Sequence, residues 1–202
     1  MLFLRRLFLV LLVLVLGGGR ILAATTREER AFITAANAFR DGMWSRAEVE
    51  FAQFAEKYPK SGRVAEAVLM QAEADFKQGK FLQATELLAV RKSQTGDLAD
   101  QYAYWLGEAQ FQNADYAAAA ETFSRLARDF QNSSWRLDAA VNEAAARGKL
   151  GQWPQVSALL RGPAGIFQQA AKANPADERV VRGQLLLAEA LLKQNKIGRA
   201  HV

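Results

Sequence analysis

The chain has 202 residues, half of them hydrophobic, with four prolines, no cysteine and a formal net charge of +5. The absence of cysteine excludes disulfides and thiolate metal sites, and the low proline content with few β-branched runs favours helix throughout. Residues 25–196 hold 22 of the 26 basic side chains against all 21 acidic ones, and this near-neutral balance excludes the electrostatic footprint of a nucleic-acid-binding protein.

The first predicted element is an apolar N-terminal segment. Arg5 and Arg6 precede an apolar run over residues 7–16, and small residues follow up to Ala24. This order is typical of a secretory signal peptide, and the apolar run is short for a membrane-spanning helix. We therefore expect residues 1–24 to be a signal peptide and the protein to be exported to the periplasm or cell envelope. Contact with a membrane is expected only through an uncleaved signal.

Self-comparison of the remaining chain predicts a series of helical hairpins. An aromatic residue, a turn and a second aromatic residue recur, and positions equivalent to Ala47 follow at intervals of 37, 35 and 37 residues. Apolar residues at helical spacing lie on both sides of each turn. The predicted helix pairs span residues 27–41/44–57, 62–78/81–91, 98–113/116–130 and 134–150/153–160. An insertion near 161–176 with its own short helix and a lone helix at about 178–195 complete the region 25–196.

The third copy of the repeat is the most informative. It carries an ordered set of small, aromatic and apolar residues: Leu106, Gly107, Ala109, Phe111, Asp115, Tyr116, Ala119 and Phe123. This set resembles the tetratricopeptide repeat. The resemblance implies an all-α fold, a right-handed α-α solenoid of tetratricopeptide helical hairpins, with about four repeats and the first helix of a fifth. The segments FAEKYPKS and YWLGEAQF are similar to periplasmic members of the Tol–Pal and outer-membrane-assembly type.

Catalytic chemistry is largely excluded by residue type. The single histidine is His201, inside the last six residues, so a Ser/His/Asp or Cys/His nucleophilic set cannot be assembled. Zinc and iron sites lose their usual ligands. Glu66, Glu73 and Glu108 are interpreted as a solvated face rather than as an acid pair. We therefore expect no enzymatic activity, no cofactor, no metal and no small-molecule substrate.

The resemblance to tetratricopeptide repeats also implies a binding surface. In that family, side chains of the first helix of each hairpin line a concave groove. Position by position, the groove residues here are Phe32, Phe39, Leu69, Glu73, Phe76, Lys77, Tyr104, Glu108, Phe111 and Gln112. Aromatic residues flanked by mixed charge suit a bound peptide segment, although packing between helices is an alternative role for the same rings. The expected function is an exported scaffold that binds peptide segments of envelope proteins.

The last six residues, IGRAHV, break the repeat. They resemble a translated sequencing adaptor, so we expect residues 197–202 to be a non-native tail and the intact protein to be longer; a natural short tail is the alternative. A longer gene leaves a second functional hypothesis open, in which this solenoid positions an envelope enzyme or belongs to an outer-membrane assembly or secretion component. Further repeats in the full gene would favour the scaffold, and a globular domain rich in histidine or carboxylates would favour the enzyme.

The lone helix near the C-terminus carries an apolar stripe formed by Leu186, Leu187, Ala190 and Leu191. No second helix of the same hairpin follows it within the sequence. Because repeat arrays need a polar cap at their ends, an uncovered apolar stripe promotes association. We therefore expect this stripe to be exposed and the chain either to self-associate or to fray beyond about residue 176.

Overall fold

The computed structural model describes residues 27–91 and 95–200, and the side chains up to residue 195 within the last helix. The predicted signal peptide, residues 1–24, and the last two residues of the predicted tail lie outside this part of the chain. The described residues form ten α-helices and no strand. The helices span residues 27–40 (α1), Trp44–Lys57 (α2), Val64–Lys77 (α3), Phe81–Val90 (α4), Ala99–Gln112 (α5), Tyr116–Asp129 (α6), Arg136–Lys149 (α7), Trp153–Arg161 (α8), Ile166–Ala173 (α9) and Glu178–Ala200 (α10).

The observed helix boundaries agree closely with those predicted from the sequence. Each predicted pair is present, with ends that differ by a few residues, and the short helix expected in the insertion is α9. The exception is α10, which continues to Ala200 rather than ending at residue 195. No proline interrupts the last residues of this helix, so nothing in the local sequence forces an earlier end.

The chain divides into two compact units, Met1–Ala74 and Asp75–Val202. In the first unit, Phe32 of α1 packs edge-to-face on Phe51 and Phe54 of α2, with ring centroids 5.5 and 5.3 Å apart. Five buried alanines complete this core: Ala35, Ala38, Ala47, Ala67 and Ala74. Alanines at the contacts let the helix axes approach, and the aromatic rings fill the space between them.

In the second unit, the packing of α5 on α6 depends on a glycine. A Cβ atom at Gly107 would lie 2.6 Å from the ring of Phe123, which is fully buried. A similar contact joins α9 to α10, where the ring of Phe167 fills the space beside Gly183. The α9 helix also packs against α7 and α8. The inserted helix is therefore part of the core of this unit.

The four central hairpins repeat as a module of two hairpins. Helices α6, α7 and α8 begin 72 residues after α2, α3 and α4. Buried core residues keep the same offset, as in the pairs Phe51/Phe123, Ala67/Ala139, Ala74/Ala146 and Leu88/Leu160. The unequal intervals found in the sequence therefore reflect a longer repeat, in which a second helix of 14 residues (α2, α6) alternates with a shorter one of 10 or 9 residues (α4, α8).

The turn within each of these hairpins places one residue in the left-handed region. The φ angles are 73° at Gly42, 76° at Gly79, 71° at Gly151 and 62° at Ala114. Ala114 is the one residue other than glycine with positive φ in the described part of the chain. The next backbone N–H in each turn donates to a carbonyl five residues earlier, as in the 2.9 Å bond between Lys80 and Asp75. This is the Schellman arrangement that closes a helix C-terminus.

Ala114→Gly should therefore stabilise the protein. Glycine adopts positive φ without the steric cost of a Cβ atom, so we expect the free energy of unfolding to rise by about 0.5–1 kcal/mol. Gly79→Ala should lower it by a similar amount, because no atom would contact the added Cβ and only the backbone conformation is strained. Chemical denaturation measures both. Ala117→Gly is the control, because it adds a glycine inside α6 and should lower the free energy of unfolding. If Ala114→Gly lowers the free energy of unfolding by the same amount, the prediction is contradicted.

Candidate binding surface

The predicted groove residues of the first unit lie at different depths. Phe32 and Leu69 are buried, with 2% and 3% of their surfaces exposed. Phe39 is half-buried and packs against Trp44, with ring centroids 5.0 Å apart. Glu73 is also half-buried. Phe39 and Glu73 therefore keep part of their surface accessible, whereas Phe32 contributes mainly to the core.

The predicted residues of the second unit are all at least partly accessible. Phe76, Tyr104, Glu108 and Phe111 are half-buried, and Lys77 and Gln112 are exposed. Phe111 packs on Tyr116 across the hairpin turn, with centroids 5.3 Å apart. The other two aromatic residues belong to a larger set of rings.

Four aromatic side chains form a continuous row along the first helices of the second unit. Phe76 of α3 contacts Trp105 of α5 at 5.3 Å, and Trp105 contacts Tyr104 at 5.7 Å. Tyr104 then stacks on Trp135, which precedes α7, with centroids 4.1 Å apart and planes inclined by 25°. All four rings are half-buried. We call Phe76, Trp105, Tyr104 and Trp135 the aromatic row.

Trp105 and Trp135 were not among the site residues predicted from the sequence. Trp135 lies 72 residues after Arg63, whose guanidinium carbon lies 3.3 Å from the centroid of the Phe32 ring. Both positions therefore place a planar group over the aromatic residue of the preceding hairpin. Aligning the connections YPKSGR and FQNSSW would have revealed this equivalence.

The same connections are fixed by a recurring hydrogen bond. The Ser133 hydroxyl donates to the Asp100 carboxylate in the first turn of α5 at 2.6 Å, and Ser61 donates to Glu28 in the same way. The backbone N–H of Trp135 donates to the Ser133 hydroxyl at 3.1 Å. These bonds hold the connection against the preceding hairpin and position the indole of Trp135 over Tyr104.

A polar network next to the aromatic row links α5, α7 and α10. The Asn142 amide donates to the Glu108 carboxylate, and Arg182 donates to the Asn142 carbonyl oxygen at 2.6 Å. Asn142 is buried, with 7% of its surface exposed. A second contact between α7 and α10 joins Asp138 to Arg179 at 3.1 Å. Side chains from three successive first helices are therefore connected on this face.

Burial shifts the pKa values of two acidic groups on this face. It raises the pKa of Glu108, with a further contribution from the negative charge of Asp138, while Arg182 and the Asn142 hydrogen bond act in the opposite direction. Burial also raises the pKa of Tyr104, so its phenol stays neutral and can donate a hydrogen bond. Hydrogen bonds from Arg179 lower the pKa of Asp177 to about 2.

A separate cavity of about 180 Å³ lies among α4, α5 and α6 of the second unit. Its wall is mostly apolar and includes Leu88, Leu106 and Leu126, with Arg125 and Tyr102 among its polar members. Burial raises the pKa of the Tyr102 hydroxyl to about 12. Over the described ranges, no cluster of three or more histidine or acidic side chains could hold a metal ion. None of the helices described is long and apolar enough to cross a membrane.

Comparisons with known proteins agree with this fold. Residues 101–133 match the family model of the tetratricopeptide repeat. The structure is similar to the crystal structure of TPR-like repeats from a kinesin light chain of Podosopora anserina, with a TM-score of 0.66, 18% identity and coverage of 87% of this chain and 90% of that one. A single-residue variant of those repeats gives a TM-score of 0.64 and 16% identity, with the same coverage. No curated protein sequence matches this chain. The predicted fold class, an α-α solenoid of tetratricopeptide-like hairpins, is confirmed.

The raised pKa of Glu108 leads to a test of the network. Because the pKa is higher in the folded protein, the stability associated with neutral Glu108 is fully present below the ordinary glutamate pKa of about 4. It is lost as the pH rises through the folded-state pKa. We therefore expect Glu108→Gln to equal the wild type in acid and to be more stable at neutral pH, as measured by urea denaturation across this range.

The exposed residue Glu86 on α4 provides a matched control, since Glu86→Gln also removes one carboxylate from the same unit. If Glu108→Gln lowered the stability by the same amount at every pH, the raised pKa of Glu108 would be contradicted. That result would mean that the Glu108 hydrogen bond, rather than its charge, dominates.

Proposed function

We propose that this protein is an exported, non-catalytic scaffold that binds peptide segments of envelope proteins on the face formed by the first helices of its hairpins. Repeats of this kind present extended surfaces for protein partners, and their concave side is the usual place of contact. The aromatic row carries the proposal. Its four large rings lie side by side and each keeps part of its surface exposed, which supports a role in contacting a peptide.

The chemistry of the aromatic row suits peptide recognition. Tyrosine and tryptophan dominate the energetics of many protein interfaces because they offer large contact areas with few rotatable bonds. The rings already hold each other in edge-to-face or stacked contacts. Binding would therefore cost little side-chain entropy. The rings would contact apolar side chains of the peptide.

The polar residues beside the row would select among peptides. Lys77 and Gln112 are exposed at the ends of α3 and α5. Glu108 and Arg182 lie in the network and carry opposite formal charges. A peptide with both acidic and basic residues could pair with these groups only in particular registers, because like charges in contact are repelled. Affinity would then depend on the aromatic row and specificity on its polar border.

Export depends on the N-terminal segment, and the envelope location is the part of the proposal that the sequence alone motivates. The order of basic, apolar and small residues up to Ala24 would direct secretion.

Site-specific photo-cross-linking tests the binding surface and identifies its partner in one experiment. A benzophenone amino acid at Gln112 should capture a polypeptide in cells, and mass spectrometry of the product would identify the bound segment. The same group at Glu121, an exposed position on the second helix α6, is the control. Equal capture at both positions, or capture only at Glu121, would contradict binding on the first-helix face.

Fusion of residues 1–30 to alkaline phosphatase tests export. Because this reporter is active only after secretion, we expect activity from the wild-type fusion and N-terminal sequencing to show cleavage after Ala24. Val13→Asp interrupts the apolar run and should abolish activity. An active Val13→Asp fusion, or an inactive wild-type fusion, would show that this segment is not a secretory signal.

A further inference from the structure

The last helix, α10, is apolar on two opposite faces. Its inner face is packed in the second unit, where Val180 and Ala190 are fully buried. Its outer face carries Val181, Leu185 and Leu192, which are 43%, 68% and 62% exposed. An apolar face of a helix is normally covered by another element. The outer face therefore lacks a covering element among the described residues.

The structure corrects the stripe predicted from the sequence. Leu186, Leu187 and Ala190 pack inward against the core of the second unit, and of the predicted residues only Leu191 is exposed. The exposed set is instead Val181, Leu185, Ala188 and Leu192, whose spacing of four, three and four residues is a heptad-like seam. We call these four residues the outer seam.

Comparison with α5 indicates what covers such a face. Aligning LLLAEALLKQNK with YWLGEAQFQNAD places Leu185, Ala188 and Leu192 at the positions of Tyr104, Gly107 and Phe111. In α5 those three residues receive the paired helix α6, through contacts with Phe123 and Tyr116. The outer seam therefore occupies a helix-receiving face, and the element that fits it is another α-helix.

The charged residues beside the outer seam indicate which helix packs on it. Glu178, Arg182, Glu189 and Lys193 are all exposed and lie along one flank of the seam. If a second copy of α10 packs antiparallel, Glu178 lies beside Lys193 of the other copy and Arg182 beside Glu189. Two-fold symmetry forms each of these pairs twice. The flank is thus complementary to itself in the antiparallel orientation.

The apolar residues fit the same arrangement. In an antiparallel pair, Leu185 faces Ala188 of the other helix and Val181 faces Leu192. A large side chain then lies opposite a small one at the centre, which allows the helix axes to approach closely. The other flank carries the uncharged residues Gln184 and Leu191, so it opposes no like charges.

We propose that the outer seam of α10 is the interface of a homodimer, formed by antiparallel packing of this helix in two copies of the chain. The interface lies outside the aromatic row, and the proposal does not depend on what that row binds. Dimerisation would place two copies of the binding surface in one particle.

The absence of cysteine allows a direct test in the full chain. Ala188→Cys adds a single thiol next to the proposed two-fold axis, and a short bismaleimide should convert it to a covalent dimer seen on a denaturing gel. Ala117→Cys, exposed on α6, is the matched control. It should remain a monomer band even if the N-terminal segment itself promotes association.

Charge exchange tests the orientation. Glu178→Lys alone would place like charges together twice and should weaken the cross-link at residue 188, and Leu185→Glu should abolish it. Adding Lys193→Glu to Glu178→Lys restores both pairs and should restore the cross-link, and these changes leave the bond from Arg182 to Asn142 in place. Sedimentation equilibrium should rank the variants by dimer content in the same order as the cross-linking does. Circular dichroism should confirm that all variants are folded.

The proposal is overturned if the wild type sediments as a monomer at every concentration. It is also overturned if Glu178→Lys cross-links at residue 188 as strongly as the chain without this change, or if both thiol positions react equally. Binding of a synthetic peptide of residues 115–130 to the outer seam of a monomeric chain would identify a foreign second helix, rather than a second copy, as the occupant.

Discussion

Close approach of helices at small residues is the constraint on which this structure depends. At Gly107 the ring of Phe123 occupies the space that a Cβ atom would need, so the two helices of that hairpin can pack at this distance only with glycine there. Gly183 and Phe167 repeat the arrangement at the inserted helix α9. Elsewhere the buried alanines take the same role. Because the rings fill these gaps closely, the distance between the packed helices is fixed at these contacts.

That geometry is carried from hairpin to hairpin by a few polar contacts. Ser61 and Ser133 bond to carboxylates in the first turns of the preceding hairpins, and the residue two positions later stacks on an aromatic ring. The two connections share the offset of 72 residues found for the helices. The repeated object is therefore a pair of hairpins together with its connection. The aromatic row exists because this connection places Trp135 over Tyr104.

Much of the fold could be predicted from the sequence, because its signals are local. Turn residues such as Gly79 and the spacing of alanines specify the helices and their ends. How far each side chain is buried could not be predicted in the same way. Phe32 and Tyr104 occupy equivalent positions, yet Phe32 is buried and Tyr104 is half-buried. What covers a side chain depends on neighbours distant in sequence, which a repeat pattern does not specify. For the same reason the wrong face of α10 was predicted from the sequence to be exposed. Both faces are apolar, and the sequence does not specify which one packs against the core.

The bonds that join Glu108, Asn142 and Arg182 have a mechanical consequence. In an array of hairpins each hairpin contacts mainly its neighbours, so a load along the array passes from one hairpin to the next. This series of bonds crosses from α5 through α7 to α10 on the first-helix side, and it would act there as a tie that resists spreading of the three helices. Tension applied to the second unit would therefore be resisted more strongly on the side that carries the aromatic rings, which would keep their spacing under load.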